Sequence, residues 1–135
     1  MSFVEAAAVA AIALAPTSAH SDHPKHHPGH IRGCNTYRCD RRMHRKAHQR
    51  TVQRWKRRAA PYAGWLYSTR MCESGGNYRT NTGNGFFGAY QFDYSSWLAT
   101  HPTTQYAHQA EPAEQDYRAT VWLRMAGRGA WPVCG

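Results

Sequence analysis

The chain has 135 residues and a net charge of +9 at neutral pH, from 17 Lys and Arg against 8 Asp and Glu, with 9 His and 4 Cys besides. That length holds one domain and a tail and excludes two large cores. The excess charge falls entirely in residues 1–60, with 12 Lys/Arg against 3 Asp/Glu, whereas residues 61–135 hold 5 against 5, so two physically different pieces are joined.

Ala7 to Ala15 is a continuous apolar run followed by Pro16, Thr17, Ser18 and Ala19. It reads as a secretory signal over residues 1–19, with a cut expected after Ala19, although only Glu5 and no Lys or Arg precedes the run. The run is too short for a stable transmembrane anchor, and none is expected. Residues 20–33 form a linker rich in His and Pro whose first eleven residues carry five histidines; it can bury almost nothing. Such tracts bind transition metals weakly, the minority reading here because no scaffold fixes their geometry.

Residues 34–60 are a basic segment. Between Arg41 and Ala60, Met43, Ala47, Val52 and Trp55 recur close to a helical stripe, so a basic amphipathic helix is expected. Three roles suit it: a solvated spacer, attachment through residues 38–58 to an anionic wall polymer or membrane surface, and nucleic-acid binding, the least favoured. Pro61 then opens a helix with Trp65, Leu66 and Thr69 or Met71 inward, ended by Gly75–Gly76. Residues 80–88 read as tight turns feeding one extended piece, Phe87 to Phe92. Asp93 caps a short helix stopped at His101–Pro102. Pro112 opens a last helix to about Ala126, with Tyr117, Val121 and Met125 as its inward stripe, Trp122 beside them, and Gly127 and Gly129 at its end.

A domain of about 75 residues buries only about 60% of its unfolded surface and needs a staple. Four cysteines permit three pairings, of which Cys72–Cys134 and Cys34–Cys39 are preferred. The first closes a loop worth about 4 kcal/mol in chain entropy. Zinc ligation is the alternative, but the spacings match no finger pattern. Disulfides in turn imply an oxidising compartment.

Glu73 follows Cys72 at the end of an apolar-faced helix and precedes two glycines. That would hold a carboxyl rigidly at a cleft edge and let a sugar polymer approach. Apolar neighbours such as Phe86, Phe87 or Trp97 would raise its pKa, as a general acid requires. On the residues alone, a surface or capping glutamate is the more ordinary assignment. The Gly-rich stretch is no phosphate-binding loop, because no Gly-Lys-Ser/Thr ending is present.

Several motifs in order resemble the resuscitation-promoting factor domain, the transglycosylase-like domain of actinobacteria and their phages. They are Cys-Glu-Ser-Gly-Gly-Asn from Cys72, Asn-Thr-Gly-Asn-Gly with two aromatics and Gly from Asn81, Gln91-Phe92, Ser96-Trp97, and Gly-Ala-Trp-Pro-Val-Cys at residues 129–134. The resemblance covers residues 62–135. It implies an α+β, small, mostly helical lysozyme-like domain with a short Gly-rich extended segment, stapled by Cys72 and Cys134. It also implies cleavage of the β-1,4 bond between N-acetylmuramic acid and N-acetylglucosamine in peptidoglycan glycan strands. The family's indispensable carboxylate falls on Glu73, and Asp93 falls on an acidic cleft position that binds or polarises. Asn81, Thr82, Asn84 and Gln91 would line the sugar groove, with Ser96, where threonine is commoner, and Trp97. Tyr78 stands where tryptophan is usual and would offer sugar an aromatic surface. Arg128 also replaces a tryptophan, and Trp65 lies one position further from Cys72 than usual.

The expected function is therefore a muralytic glycosidase or lytic transglycosylase acting as a monomer, with no cofactor or metal. A noncatalytic glycan-binding module is the first alternative and a basic nucleic-acid-binding protein the second. The expected location is secreted or wall-associated, with a phage-associated origin left open.

Overall fold

A computed structural model describes residues 37–135, which fall within one compact unit, Ile31–Gly135. The signal-like segment, the histidine-rich linker and Cys34, with its expected bond to Cys39, lie outside the described residues. Helix α1 spans Tyr37–Ala59, with Asp40 in its first turn and Lys56, Arg57 and Arg58 in its last, the distribution a helix dipole favours. Of the expected stripe only the end is inward: Trp55 is buried and Val52 half-buried, whereas Met43 and Ala47 are exposed. Residues 41–50 are exposed throughout, and burial resumes at Thr51 in the half of the helix that ends in Trp55 and Ala59. Two side-chain contacts join α1 to α4 and the residue before it: His48 to Glu111 at 2.8 Å and Arg58 to the Tyr117 hydroxyl at 3.0 Å.

A 3₁₀ turn, Ala60–Tyr62, carries Pro61 near its start and leads into α2, Ala63–Ser74. Leu66 and Thr69 face the core, while Met71 is exposed. Gly75 ends the helix at φ 66°, a left-handed conformation that glycine adopts without a Cβ clash, and its N–H reaches Met71 O at 3.1 Å.

The expected extended piece is instead a hairpin. Strands β1, Phe86–Phe87, and β2, Phe92–Asp93, pair antiparallel, Phe86 with Asp93 and Phe87 with Phe92. Gly88 at φ 75° and Gln91 at φ 49° bend the chain between them. Pairing places Phe86 and Asp93 on one face and Phe87 and Phe92 on the other. Helix α3, Tyr94–Ala99, starts at Asp93, whose side chain accepts the Ser96 N–H at 3.0 Å, as expected of an N-cap.

Helix α4, Pro112–Ala126, keeps its expected ends but not its expected stripe. Met125 is exposed, and the buried face is Ala113, Glu114, Gln115, Ala119 and Thr120. Small and polar residues fill that face because each polar group finds a partner. Glu114 accepts from the Thr103 N–H and hydroxyl and from Arg118, and Gln115 bonds three backbone groups.

The core is an aromatic chain. Trp97, Phe92 and Trp131 meet edge to face, with centroids 5.3 and 5.6 Å apart, and Trp65 closes on Trp131 at 5.3 Å. The Trp131 indole N–H donates to Tyr90 O at 2.8 Å, which fixes the C-terminal tail on the hairpin. Cys72 and Cys134 are joined with Cα atoms 5.7 Å apart, closing the loop between them. The expected class holds: a small, mostly helical α+β domain, disulfide-stapled, with a two-stranded sheet.

Candidate active site

Glu73 sits in the last turn of α2, between the disulfide and the glycine stop. Two bonds lock that turn: the Ser74 hydroxyl donates to Ala89 O of the hairpin at 2.8 Å, and the Thr69 hydroxyl donates to Cys134 O of the tail at 3.1 Å. The carboxyl is thus carried on a helix end held from both sides. It opens into a cleft of about 410 Å³ whose other walls are Asn84, Phe86 and Gln91 from the hairpin region and Ala130 to Cys134 from the tail.

A smaller depression of about 120 Å³ shares Phe86, Gln91, Ala130 and Trp131 with this cleft and adds Asp93, Ser96 and Trp122. The two cavities thus adjoin across that shared wall, with Glu73 lining the larger and Asp93 the smaller. Phe86, Trp122, Trp131, Pro132 and Val133 supply apolar and aromatic wall to these cavities, beside the polar groups of Asn84, Gln91 and Ser96.

The two carboxyls differ sharply. Partial burial without a hydrogen-bonded or charged partner raises the Glu73 pKa through desolvation, so the protonated form persists above the ordinary carboxylate range. Burial alone would also raise Asp93, but hydrogen bonds from Ser95 and Ser96 outweigh it and hold that carboxyl below its usual range. Asp93 Oδ1 accepts the Ser95 hydroxyl at 2.6 Å and the Ser96 N–H at 3.0 Å, while Oδ2 accepts the Ser96 hydroxyl. Burial thus favours the neutral form of Glu73, and local hydrogen bonding favours the charged form of Asp93.

Of the other expected groove residues, Asn84, Gln91 and Ser96 line it. Asn84 Oδ1 accepts the Phe86 N–H at 3.0 Å, and the Gln91 amide donates to Gly88 O at 3.0 Å, so both also shape the loop that bears them. Asn81 and Thr82 are exposed on the preceding loop and line neither part, though Asn81 bridges to Phe87 through the backbone. Trp97 is corrected outright: it is a core residue with 0% exposure, its indole N–H committed to Thr104 O at 2.9 Å. Tyr78 lines neither cavity, and its hydroxyl donates to Asp116 at 2.7 Å beside that of Tyr90 at 2.6 Å. Burial, with the adjacent Asp116 carboxylate, pushes both phenols up.

Among the expected apolar neighbours of Glu73 only Phe86 shares its cleft; Phe87 packs against Tyr106 and His108 on the opposite hairpin face. The sequence reading missed the tail wall, Trp131, Pro132 and Val133, and the aromatic Trp122. The Cys72–Cys134 bond was the available signal, since it brings the tail beside Glu73. Among the described residues no His, Cys, Asp or Glu group is arranged to hold a metal ion.

The profile of the transglycosylase-like domain family matches residues 63–134. Resuscitation-promoting factor Rpf of Micrococcus luteus is 51% identical over 63 residues, covering 47% of this chain and 28% of that protein. Resuscitation-promoting factor RpfA of Mycobacterium tuberculosis is 48% identical over 67 residues, 47% of this chain and 16% of the relative. Resuscitation-promoting factor Rpf1 of Corynebacterium glutamicum is 44% identical over 78 residues, 56% of this chain and 40% of the relative. The chain thus spans less than half the length of each of these relatives.

Proposed function

The chain belongs to the transglycosylase-like domain family, and on that premise we propose that it cleaves the glycan strands of peptidoglycan, with Glu73 as general acid and then base. The observation that carries this is the contrast between the carboxyls of the two adjoining cavities: Glu73 raised by desolvation and free of a partner, Asp93 lowered and saturated by Ser95 and Ser96.

A glycan laid along the groove presents its β-1,4 oxygen, between N-acetylmuramic acid and N-acetylglucosamine, to Glu73. Phe86, Trp122 and the tail offer apolar faces to the rings, while Asn84 and Gln91 offer amides to the N-acetyl groups. Glu73 protonates the departing oxygen as the glycosidic bond breaks. Its conjugate base then takes the proton of the muramic acid 6-hydroxyl, which attacks its own anomeric carbon and closes a 1,6-anhydro ring.

A hydrolase of either stereochemistry needs a second carboxylate free to act as nucleophile or base. Asp93 fits neither role well, because three local donors hold its two oxygens and attack or proton abstraction would have to displace one of them. Intramolecular attack dispenses with that group, since proximity stands in for an external nucleophile. Asp93 serves to orient sugar and to stabilise developing positive charge on the ring.

The protein works as a secreted or wall-associated monomer. Among the described residues no helix is long and apolar enough to cross a membrane. The basic α1 keeps it on an anionic envelope surface. A zymogram on purified peptidoglycan, run beside a sedimentation binding assay, tests the proposal. Clearing of the gel is expected; binding without clearing would make the chain a glycan-binding module.

A further inference from the structure

Helix α1 carries ten Lys and Arg in 23 residues, and Asp40 is its single acid. Its apolar residues Trp55 and Ala59 are buried, on the side that meets α4. The opposite side is formed by Arg42, Lys46, Gln49, Arg50, Gln53 and Arg57, all exposed. These residues recur at intervals of three and four, so they form one stripe running about 22 Å along the helix, with cations about 6 Å apart where the interval is four. Lys46, Gln49, Arg50, Gln53 and Arg57 also line a shallow surface depression.

From this stripe we infer a second binding surface, a docking track for a linear anionic polymer attached to the cell wall; the inference rests on the envelope location proposed above. A bilayer fits poorly. Helices that lie in a membrane interface bury an apolar face there, and of the apolar residues of α1 only Tyr37, Met43 and Ala47 are exposed, too few to form one. What remains for a partner is charge and amide hydrogen bonding. Guanidinium groups bind phosphate or carboxylate in a bidentate fashion, and Gln49 and Gln53 are placed between them to bond hydroxyls. Because α1 is packed on α4, the track is fixed to the same unit as the groove. Docking would therefore hold the groove near its substrate while the glycan is exchanged.

The test measures binding of the full chain, made inactive by Glu73→Gln, to walls before and after extraction of their covalently attached anionic polymers. A second form adds Arg42→Gln, Lys46→Gln, Arg50→Gln and Arg57→Gln, and a third replaces the three arginines by lysine. At the slope of about −0.7 per neutralised charge known for single-stranded polyanions, four cations make affinity fall about 50-fold for a fourfold rise in salt. Intact walls should show that dependence with the parent and the lysine form, and extracted walls or the glutamine form should lose it. Soluble glycan fragments, digested by the same glutamine substitutions with Glu73 intact, should be cleaved at the parent rate, which separates this inference from the catalytic one. Melting curves of the three Glu73→Gln forms should coincide, since the α1 side chains in which they differ are all exposed. Equal affinity for intact and extracted walls would overturn the inference. So would tighter binding to phosphatidylglycerol vesicles or to duplex DNA than to intact walls at the same salt.

Discussion

Gln115 is the residue through which the fold holds its groove, and replacing it by leucine should be costly. Its side chain has 0% exposure; Oε1 accepts the Ala89 N–H at 2.9 Å, and Nε2 donates to Tyr78 O at 3.0 Å and Ala110 O at 3.2 Å. Leucine conserves most of the volume but leaves those three backbone groups without their partner. A buried polar group left unsatisfied costs about 1–3 kcal/mol, so losing three partners should cost about 3–9 kcal/mol. That is a large share of the roughly 5–15 kcal/mol that holds a small domain folded. Urea unfolding with the disulfide intact measures the loss as a shift of midpoint at constant slope. Hydrogen exchange should show the Ala89 amide losing protection. A Gln115→Leu midpoint within about 0.5 kcal/mol of the parent, the range of surface substitutions, would refute the claim that this side chain pins the hairpin turn.

Replacing Cys72 and Cys134 by serine should lower stability by about 4 kcal/mol and detach the tail wall from Glu73, read as a fall in melting temperature together with loss of activity. Activity should decline on the alkaline side with a midpoint above the ordinary carboxylate range, because the donor form of Glu73 is retained there; a midpoint at the ordinary value would contradict the desolvation. The two acids should also pull stability in opposite directions with pH. The contribution of Glu73, with its raised folded pKa, is present below the unfolded value and lost as pH rises through the folded one. The contribution of Asp93, lowered, is present above the unfolded value and lost as pH falls through the folded one. Urea midpoints of Glu73→Gln and Asp93→Asn across pH should each remove one of these slopes. Asp93→Asn should reduce turnover without abolishing it, measured as the rate of muropeptide release.

What the sequence announced were local devices. Asp93 three residues before Ser96 is a cap that needs no tertiary partner, Pro112 and Gly127 mark helix ends, and the glycines after Glu73 stop a helix wherever it packs. The catalytic candidate was legible for the same reason, being contiguous with its cysteine and its helix stop. The failures all depended on distant partners. Glu114 and Gln115 look like a solvent face until Thr103, Arg118 and the hairpin backbone satisfy them, so the stripe of α4 was assigned to the wrong side. Trp97 and Tyr78 carry chemistry suited to sugar, but Thr104 and Asp116 take up their polar atoms inside the fold. The tail wall could be reached only through the disulfide, which carries Trp131 to Val133 across from residues far earlier in the chain.

The central claim is that Glu73 alone carries the proton transfers and that the muramic acid 6-hydroxyl is the nucleophile. Mass spectrometry of peptidoglycan digested by the intact protein, by Glu73→Gln and by Asp93→Asn tests it most directly. The intact protein should release 1,6-anhydromuramyl products, Asp93→Asn fewer of the same products, and Glu73→Gln none. Digests dominated by reducing-end sugars, with Asp93→Asn wholly inactive, would contradict it and establish a hydrolase that uses both carboxylates.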